Sequence, residues 1–567
     1  MNKKNQISSI LNSCNNLFDI FNYHLAKNPY KKVFYKKEKI WDSCTFIESA
    51  ERIKKISFFF LKNKIKKGDR VFLLSNNRIE WVEFDLAIMS SGGITVPSFV
   101  TNNAADNEFI INDCLPRFIV LENEEIFEKN KKFLNKFTAK IILIENSQNF
   151  VNYKKITSIK FKEIKNVEVK REDISSIIYT SGTTGNPKGV VLTHKSVMHN
   201  LKGAIELISD FNLKNERFFS FLPLSHSYER MAGLYFPILI GAEIYFCSAN
   251  EKILSEIKEV KPTILSAVPR LYENIFKKIR SQINKTNFLI AYLLKKTFLY
   301  IENIPQKNTN IFEKVIITIF LKIILKNKVL KVFGKKIKVL ISGGAALNPI
   351  VGIFFNKLGL SLLQGYGQTE ASPLISCNRK KNNDPYTVGN PVRGVKVKIS
   401  DSGEILVSGD NLMKGYWKLK ELTSKTIKNG WLQTGDLGRI DSQGRIIITG
   451  RKKDLIVTSG GENISSQKIE SMLLNYNEIS QAVIYGDGKP FLIALIKLND
   501  EYKKTNLKKL IQNLNDNLNS VEKIRKFIVM KFEPTYENGL MTQTMKLKKE
   551  KIFSEYKSEI KKLYNTL

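Results

Sequence analysis

Short runs of consecutive apolar residues recur along the chain. They alternate with longer segments whose apolar residues return at helical spacing. The runs RVFLLS (Arg70 to Ser75), AKIILIE (Ala139 to Glu145), SSIIYT (Ser175 to Thr180) and KIKVLIS (Lys336 to Ser342) have strand length and no strict alternation of apolar and polar positions. Such strands are buried on both faces. RIEWVEFDLAIMSSG, just after the first run, has the helical pattern. Buried strands separated by helices predict a parallel sheet with helices on both sides, the α/β class. Ligands meet such sheets at the loops beyond the carboxyl ends of the strands.

The pattern changes near Arg451. RIIITGRKKDLIV sets two strand-like runs around a charged break. Beyond it come a helix from about Ser465, the strands QAVIYG and FLIALIKL joined by the turn DGKP, and a basic helical end. The expectation is a large N-terminal domain (1–449) with layered sheets and flanking helices. A hinge at 450–454 then leads to a small mobile α+β lid at 455–567. No internal repeat is present. Between Arg280 and Lys336, FLIAYLLKKTFLYIENI and IFEKVIITIFLKIILKNKVLKVFGKKIK place bulky apolar residues at helical spacing among lysines. Two readings stand: helices lying flat on an anionic bilayer, or ordinary helices packed on the protein.

Composition narrows the classes. With 567 residues, 43% of them hydrophobic and 35 Phe, the chain builds substantial cores. The 5 cysteines (Cys14, Cys44, Cys114, Cys247, Cys377) form no CxxC pair, which argues against a disulfide framework or a zinc site and fits a reducing cytoplasm. With only 4 histidines, a His-cluster metal centre is not expected. The net charge of +36 suits nucleic acid, an anionic membrane or acidic substrates. However, Lys, Asn and Ile are inflated everywhere, even in KNKIKKGDR, so codon bias is read as its main source. No RNA-recognition aromatic pattern or Cys/His finger supports nucleic acid as a partner. MNKKNQISSILNSCNNLFDIF lacks the apolar core of a secretory signal, and Lys322 interrupts the longest apolar run, so no spanning helix is expected.

The segment IIYTSGTTGNPKGVVLTH (Ile177 to His194) places Thr180, Ser181, Thr183 and Thr184, the glycines Gly182 and Gly185, and Lys188 between two apolar runs. Close-approaching backbone N–H groups, hydroxyls and one cation suit a phosphate chain. The order differs from the common nucleotide loop, because Lys188 is followed by a strand and not by a helix. SGGAALNP (Ser342 to Pro349) puts glycines, Gly344 among them, where a planar ring could lie against backbone. QGYGQTE (Gln364 to Glu370) offers Gln364 and Gly365, Tyr366 for stacking, Thr369 as a donor and Glu370 as a carboxylate for Mg²⁺ bridging phosphates. WLQTGDLG presents Asp436, an acceptor for two ribose hydroxyls. Together they describe one pocket for an adenosine nucleotide.

YTSGTTGNPKG, QGYGQTE, TGDLG and GRKKDLIVTSGGENI resemble the signature segments of the adenylate-forming superfamily of acyl-CoA synthetases, luciferases and adenylation domains. The resemblance runs from about Phe46 to the C-terminus. FLPLSHSYER, VPRLYENI and MTQTMKLKK resemble its long-chain fatty acyl-CoA synthetase branch. The resemblance implies activation of a carboxylate at the α-phosphate of ATP, giving acyl-AMP and pyrophosphate. The C-terminal domain then swings and coenzyme A attacks. The opening loop would grip the departing β- and γ-phosphates.

Further roles follow from the same resemblance. Lys546 matches the lid lysine that offsets the repulsion between carboxylate and phosphate. Mg²⁺ would be held through Glu370 with Thr180. His226 matches the position bordering the acyl carboxylate, with a satisfied core histidine as the other reading, and His194 is read as structural. Arg451 would reach the ribose and Lys453 would take the pivot. Val457 stands where some relatives carry a further lysine, so no nucleotide contact is assigned there. The reading is a Mg²⁺- and ATP-dependent long-chain fatty acid–CoA ligase, cytoplasmic and touching the inner membrane face. Its rivals are an acyl carrier protein or acyl-AMP ligase, and a non-catalytic lipid or nucleotide sensor.

Overall fold

The computed structural model describes residues 3–160, 167–180, 187–281, 283, 287–301, 311–476, 478–502, 506–535, 538–541 and 547–565. Two compact units divide the chain. The larger holds residues 1–397 and 407–432, and the smaller holds 398–406 and 433–567.

Two mixed sheets form the larger unit. In one, the strands Val151–Asn152, Lys140–Leu143, Phe118–Leu121, Arg70–Leu74, Ile94–Ser98 and Ile174–Thr180 run parallel in that spatial order. Lys188–Thr193 and then Gly415–Tyr416 extend it antiparallel. In the other, a parallel run (Lys32–Lys37, Glu243–Phe246, Arg217–Ser220, Ile264–Ala267, Val339–Ser342, Ser361–Gly367) ends in antiparallel Leu374–Cys377. The apolar runs predicted as strands are strands, but the sheets are not purely parallel. The chain doubles back at the two segments read as ligand loops, after Thr180 and after Gly367. A hairpin needs only a short connection, whereas a parallel return needs a crossover.

Helices begin where side chains can satisfy their free N–H groups. Thr45 caps Phe46–Lys62 in a reciprocal box with Glu48, and Thr193 caps His194–Ile208 with Ser196. The core of one sheet gathers Tyr272, Phe276, Phe298, Phe333, Phe354 and Phe355. The rings of Phe276 and Phe354 meet edge to face at 5.1 Å. Burying one such ring contributes roughly 1.5–3 kcal/mol.

One polar cluster is sealed inside this unit. Asp85 accepts from Thr95 Oγ1 at 2.7 Å, from Tyr235 Oη at 2.7 Å and from the Arg230 guanidinium. Glu229, beside Arg230, is different. Its oxygens are buried without a hydrogen bond of ordinary geometry, and burial pushes the carboxyl up to about 8, with the Ser220 hydroxyl pulling the other way.

In the smaller unit, Trp431–Ile440 pairs antiparallel with Ile446–Arg451. The turn Lys452–Asp454 leads to the pair Leu455–Val457 and Asn463–Ser465 and the helix Ser466–Leu474. A three-stranded sheet (Ile479–Tyr485, Leu492–Leu498, Ile524–Val529) packs Ile479, Leu492 and Ile496 against Ile469 and Leu473. Near the end of the chain, Lys549 ties back to Glu470 at 2.8 Å. The compact unit thus begins before the expected hinge, because the 431–451 hairpin packs with the C-terminal elements.

Candidate active site

Two strands flank the segment read as a phosphate loop. Thr180, last in Ile174–Thr180, stands opposite Lys188, first in Lys188–Thr193. Ser181, Gly182, Thr183, Thr184 and Gly185 lie outside the described residues. Gly189 is glycine for a visible reason. A Cβ there would come 2.8 Å from Ile177 Cγ2 and 3.1 Å from both the Tyr179 ring and Trp417 Cβ. Its absence lets the 415–417 segment close down, with Trp417 N–H donating to Gly189 O at 2.7 Å.

That close approach delivers a residue the sequence reading missed. Tyr416 lies beneath Lys188, whose Nζ is 5.8 Å from the ring centroid. The phenol donates to Glu370 Oε1 at 2.9 Å. Burial, helped by the Glu370 charge, pushes the Tyr416 phenol up, so it stays a donor. Glu370 itself sits in the turn Thr369–Ala371, its carbonyl held by Met413 N–H at 2.8 Å. One tyrosine therefore joins the lysine of the first motif to the carboxylate of the third. Tyr416 belongs to no quoted motif, so only its fold position reveals it. Tyr416→Phe is expected to lower the adenylation rate about tenfold with an unchanged melting temperature, since one hydrogen bond to a charged group is lost. Stopped-flow detection of pyrophosphate checks it.

The same neighbourhood collects His226. Its Nδ1 accepts from Tyr228 N–H at 3.2 Å, so the neutral ring carries its proton on Nε2. Asn77 fixes the preceding loop, donating to Leu222 O at 2.7 Å and accepting from Leu224 N–H at 2.8 Å. Ser227 Oγ is 3.0 Å from Thr369 Oγ1, which brings the SHSYER and QTE segments together. His194, by contrast, is buried, accepts from Leu17 N–H at 3.3 Å, and is pushed down to about 3 by burial. It is a structural histidine.

The strand ends beside this cluster are incompletely satisfied. Gln364 and Ser342 face each other across the parallel ladder. Gln364 Oε1, Ser342 Oγ and Tyr228 Oη are buried without a hydrogen-bond partner among the described residues. The phenol end of Tyr228 abuts Gly343, where a Cβ would come 2.9 Å from its Cζ. Gly344 follows at φ +82°, a conformation glycine adopts without strain. Gly365 and Tyr366 continue the Gln364 strand, and Tyr366 is buried. Buried polar atoms without partners gathered beyond the carboxyl end of the strand Val339–Ser342 suit a ligand site.

In the smaller unit, Asp436 and Arg451 are opposite each other on the hairpin, and Arg451 Nε is 2.8 Å from Asp436 Oδ1. Asp436 is buried and Arg451 half-exposed. Gly435 N–H donates to Glu404 Oε1 at 2.9 Å, fixing the TGD turn. Lys453 is exposed in the turn Lys452–Asp454, and Lys546 lies outside the described residues.

A profile of the AMP-binding enzyme family matches residues 21–417, and one of the AMP-binding enzyme C-terminal domain matches 453–567. The chain belongs to the AMP-binding enzyme family. It is 29% identical over 564 residues to the long-chain-fatty-acid–CoA ligase FadD15 of Mycobacterium tuberculosis, covering 93% of each. It is 28% identical over 584 residues to the long-chain-fatty-acid–[acyl-carrier-protein] ligase AEE15 of Arabidopsis thaliana, covering 88% of this chain and 80% of the relative. Its fold superposes on ATP-bound MatB from Rhodopseudomonas palustris with a TM-score of 0.76 at 21% identity, over 96% of this chain and 99% of the other. This AMP-binding enzyme is an adenylate-forming ligase with a large N-terminal and a separate C-terminal domain.

The donor set of this family member fits Mg²⁺. Among the described residues no three His, Cys, Asp or Glu side chains cluster into an all-protein cage. One carboxylate, Glu370, and a strand-end hydroxyl, Thr180, suit a hard cation that keeps most of its waters and takes phosphate oxygens. No helix among the described residues is long and apolar enough to cross a membrane.

Proposed function

We propose that the protein is a Mg²⁺- and ATP-dependent long-chain fatty acid–CoA ligase. It would convert a fatty acid to acyl-AMP with release of pyrophosphate, and then to acyl-CoA and AMP. The observation that carries this reading is the bridge by which Tyr416 connects Lys188 to Glu370. A cation for departing phosphates and a carboxylate for their counter-ion are thereby held in one arrangement. The names of the mycobacterial FadD15 relatives favour long-chain acids and coenzyme A.

In this reading Thr180, the loop 181–185 and Lys188 hold the β- and γ-phosphates. Bound at Glu370 and Thr180, Mg²⁺ supplies charge neutralisation. Gly344, Gln364, Gly365, Tyr366 and Thr369 take the adenosine, and Asp436 with Arg451 takes the ribose hydroxyls. His226 offers its Nε2–H to the acyl carboxylate. Lys546 places positive charge between carboxylate and α-phosphate, where exclusion of water makes it count most. No general base is required, because the acid is ionised at pH 7. Lys453 is the pivot of the smaller unit between the two half-reactions. The same reading places the protein in the cytoplasm, at the inner membrane face.

Pyrophosphate release over carboxylic acids of graded length, with coenzyme A or acyl carrier protein as acceptor, tests it. Preference for short acids would overturn the long-chain reading. Preference for the carrier protein would favour the second reading, which the Arabidopsis relative supports. Lys546→Ala is expected to slow acyl-AMP formation about a hundredfold while sparing thioester formation from supplied acyl-AMP. Lys453→Pro is expected to do the reverse, since proline fixes φ at the pivot. Equal loss of both half-reactions in either variant would refute its assigned role.

A further inference from the structure

Two neighbouring helical segments of the larger unit are apolar on the face the core does not use. The helix Phe288–Ile301 buries Leu294, Phe298 and Ile301, and the run 311–332 buries Phe320, Leu321, Leu325 and Val329 in the same core. These inner faces are already accounted for. The outer faces are not polar. Phe288 is 87% exposed, and Leu289 and Tyr292 are exposed beside it. On the following segment Val315, Ile316, Ile319, Ile323 and Ile324 are exposed, the last two at 57% each. The helix Phe288–Ile301 packs on Ile311–Ile319, so the two exposed apolar sets sit on neighbouring helical segments. A helix apolar on every side is ordinarily buried or in contact with lipid.

The spacing is helical. Positions 315, 316, 319 and 323 follow one stripe, and the wider π-helical turn Phe320–Leu325 brings Lys322 and Ile324 out beside it. The stripe is rimmed by cations: Lys295, Lys322, Lys328 and Lys331 are exposed. From Phe288 to Lys336 the sequence has ten lysines and two glutamates, with no Asp or Arg.

We infer that this surface docks the protein on an anionic lipid bilayer, with the isoleucine stripe and Phe288–Leu289 entering the acyl boundary and the lysines meeting headgroups. The inference rests on the membrane-face part of the proposed function and assigns it to residues. Charge selects the occupant. A second copy would bring the same lysine rim and a net charge of +36 against this one, whereas an anionic bilayer complements both the apolar stripe and its rim. Chains of the proposed substrate class partition into such a bilayer, so docking would bring enzyme and substrate to one surface.

The test is flotation of the full chain with vesicles of phosphatidylcholine containing phosphatidylglycerol, and with phosphatidylcholine alone. Wild type should rise with the anionic vesicles at about 0.02 M salt and be released at about 0.5 M, where the Debye length is short. The double variant Ile323→Glu, Ile324→Glu should bind at least about tenfold more weakly. Phe288→Ser with Leu289→Ser, on the other helix, should weaken binding in the same direction and guards against a folding defect in the first pair. Wild type that fails to float, or either pair floating as wild type does, would overturn the docking surface. So would a wild-type dimer that the isoleucine variant makes monomeric without changing flotation. Ligase activity on detergent-dispersed acid is read separately: a floating protein without it refutes the function and keeps the surface, and an active protein that never floats does the opposite.

Discussion

Glu370→Gln should leave the fold intact and cut acyl-adenylate formation about a thousandfold, the upper end of what removing one electrostatic contact to a transition state costs. The fold survives because the amide oxygen of Gln still accepts the Tyr416 phenol, which Glu370 holds at 2.9 Å, and because the backbone of residue 370 is fixed independently by Met413. What the substitution removes is a negative charge joined to Lys188 through Tyr416, the carboxylate proposed to hold the cation. Pyrophosphate exchange reads the first half-reaction directly, and thioester formation from supplied acyl-AMP reads the second. A loss below tenfold in exchange would remove Glu370 from the chemistry. A parallel fall in melting temperature would assign it to structure instead.

Glu229→Gln should stabilise the protein, and increasingly so as pH rises. The buried carboxyl keeps its proton in the folded chain up to about 8, while the unfolded chain releases it near 4.5. Between those values the folded state binds more protons than the unfolded state, so stability falls with rising pH. The penalty is absent below about pH 4.5, grows through the window and is complete above about pH 8. A shift of this size corresponds to roughly 5 kcal/mol at about 1.4 kcal/mol per unit. Glutamine carries no such charge. Melting temperatures of wild type and variant should converge at pH 5 and diverge by several degrees at pH 8.5. A constant difference across that range would mean that Glu229 does not titrate in the window.

The apolar runs announced the strands because a doubly covered strand has few polar positions to confuse the pattern. Arg70–Leu74, Ile174–Thr180 and Val339–Ser342 lie within or against the runs named from sequence. The small α+β end was equally legible. Two things were not. The reversals after Thr180 and Gly367 are antiparallel ladders, and an apolar run has no direction written in it. The place of the 433–451 segment in the smaller unit was hidden as well, because it packs with later elements through contacts that local pattern does not encode. At the site, glycine-rich loops and Glu370 stood out by residue type and spacing. Tyr416 and Tyr228 did not, since a tyrosine in a strand or in a short helix looks like core. Their place is fixed by Gly189 and Gly343, residues that act by having no side chain in the way.

The hairpin that carries Asp436 and Arg451 also sets which chain-length changes it can absorb. Successive side chains on an extended strand point to opposite sides, so an insertion of one residue within the strand Ile446–Arg451, before Gly450, would carry Arg451 to the far side. Gly450 would then stand across from Asp436, bringing no guanidinium to a carboxylate that is 3% exposed. One residue added to each strand would keep the facing pair. Evolutionary drift in the length of that arm should therefore fall at the turn, or as matched additions to both strands.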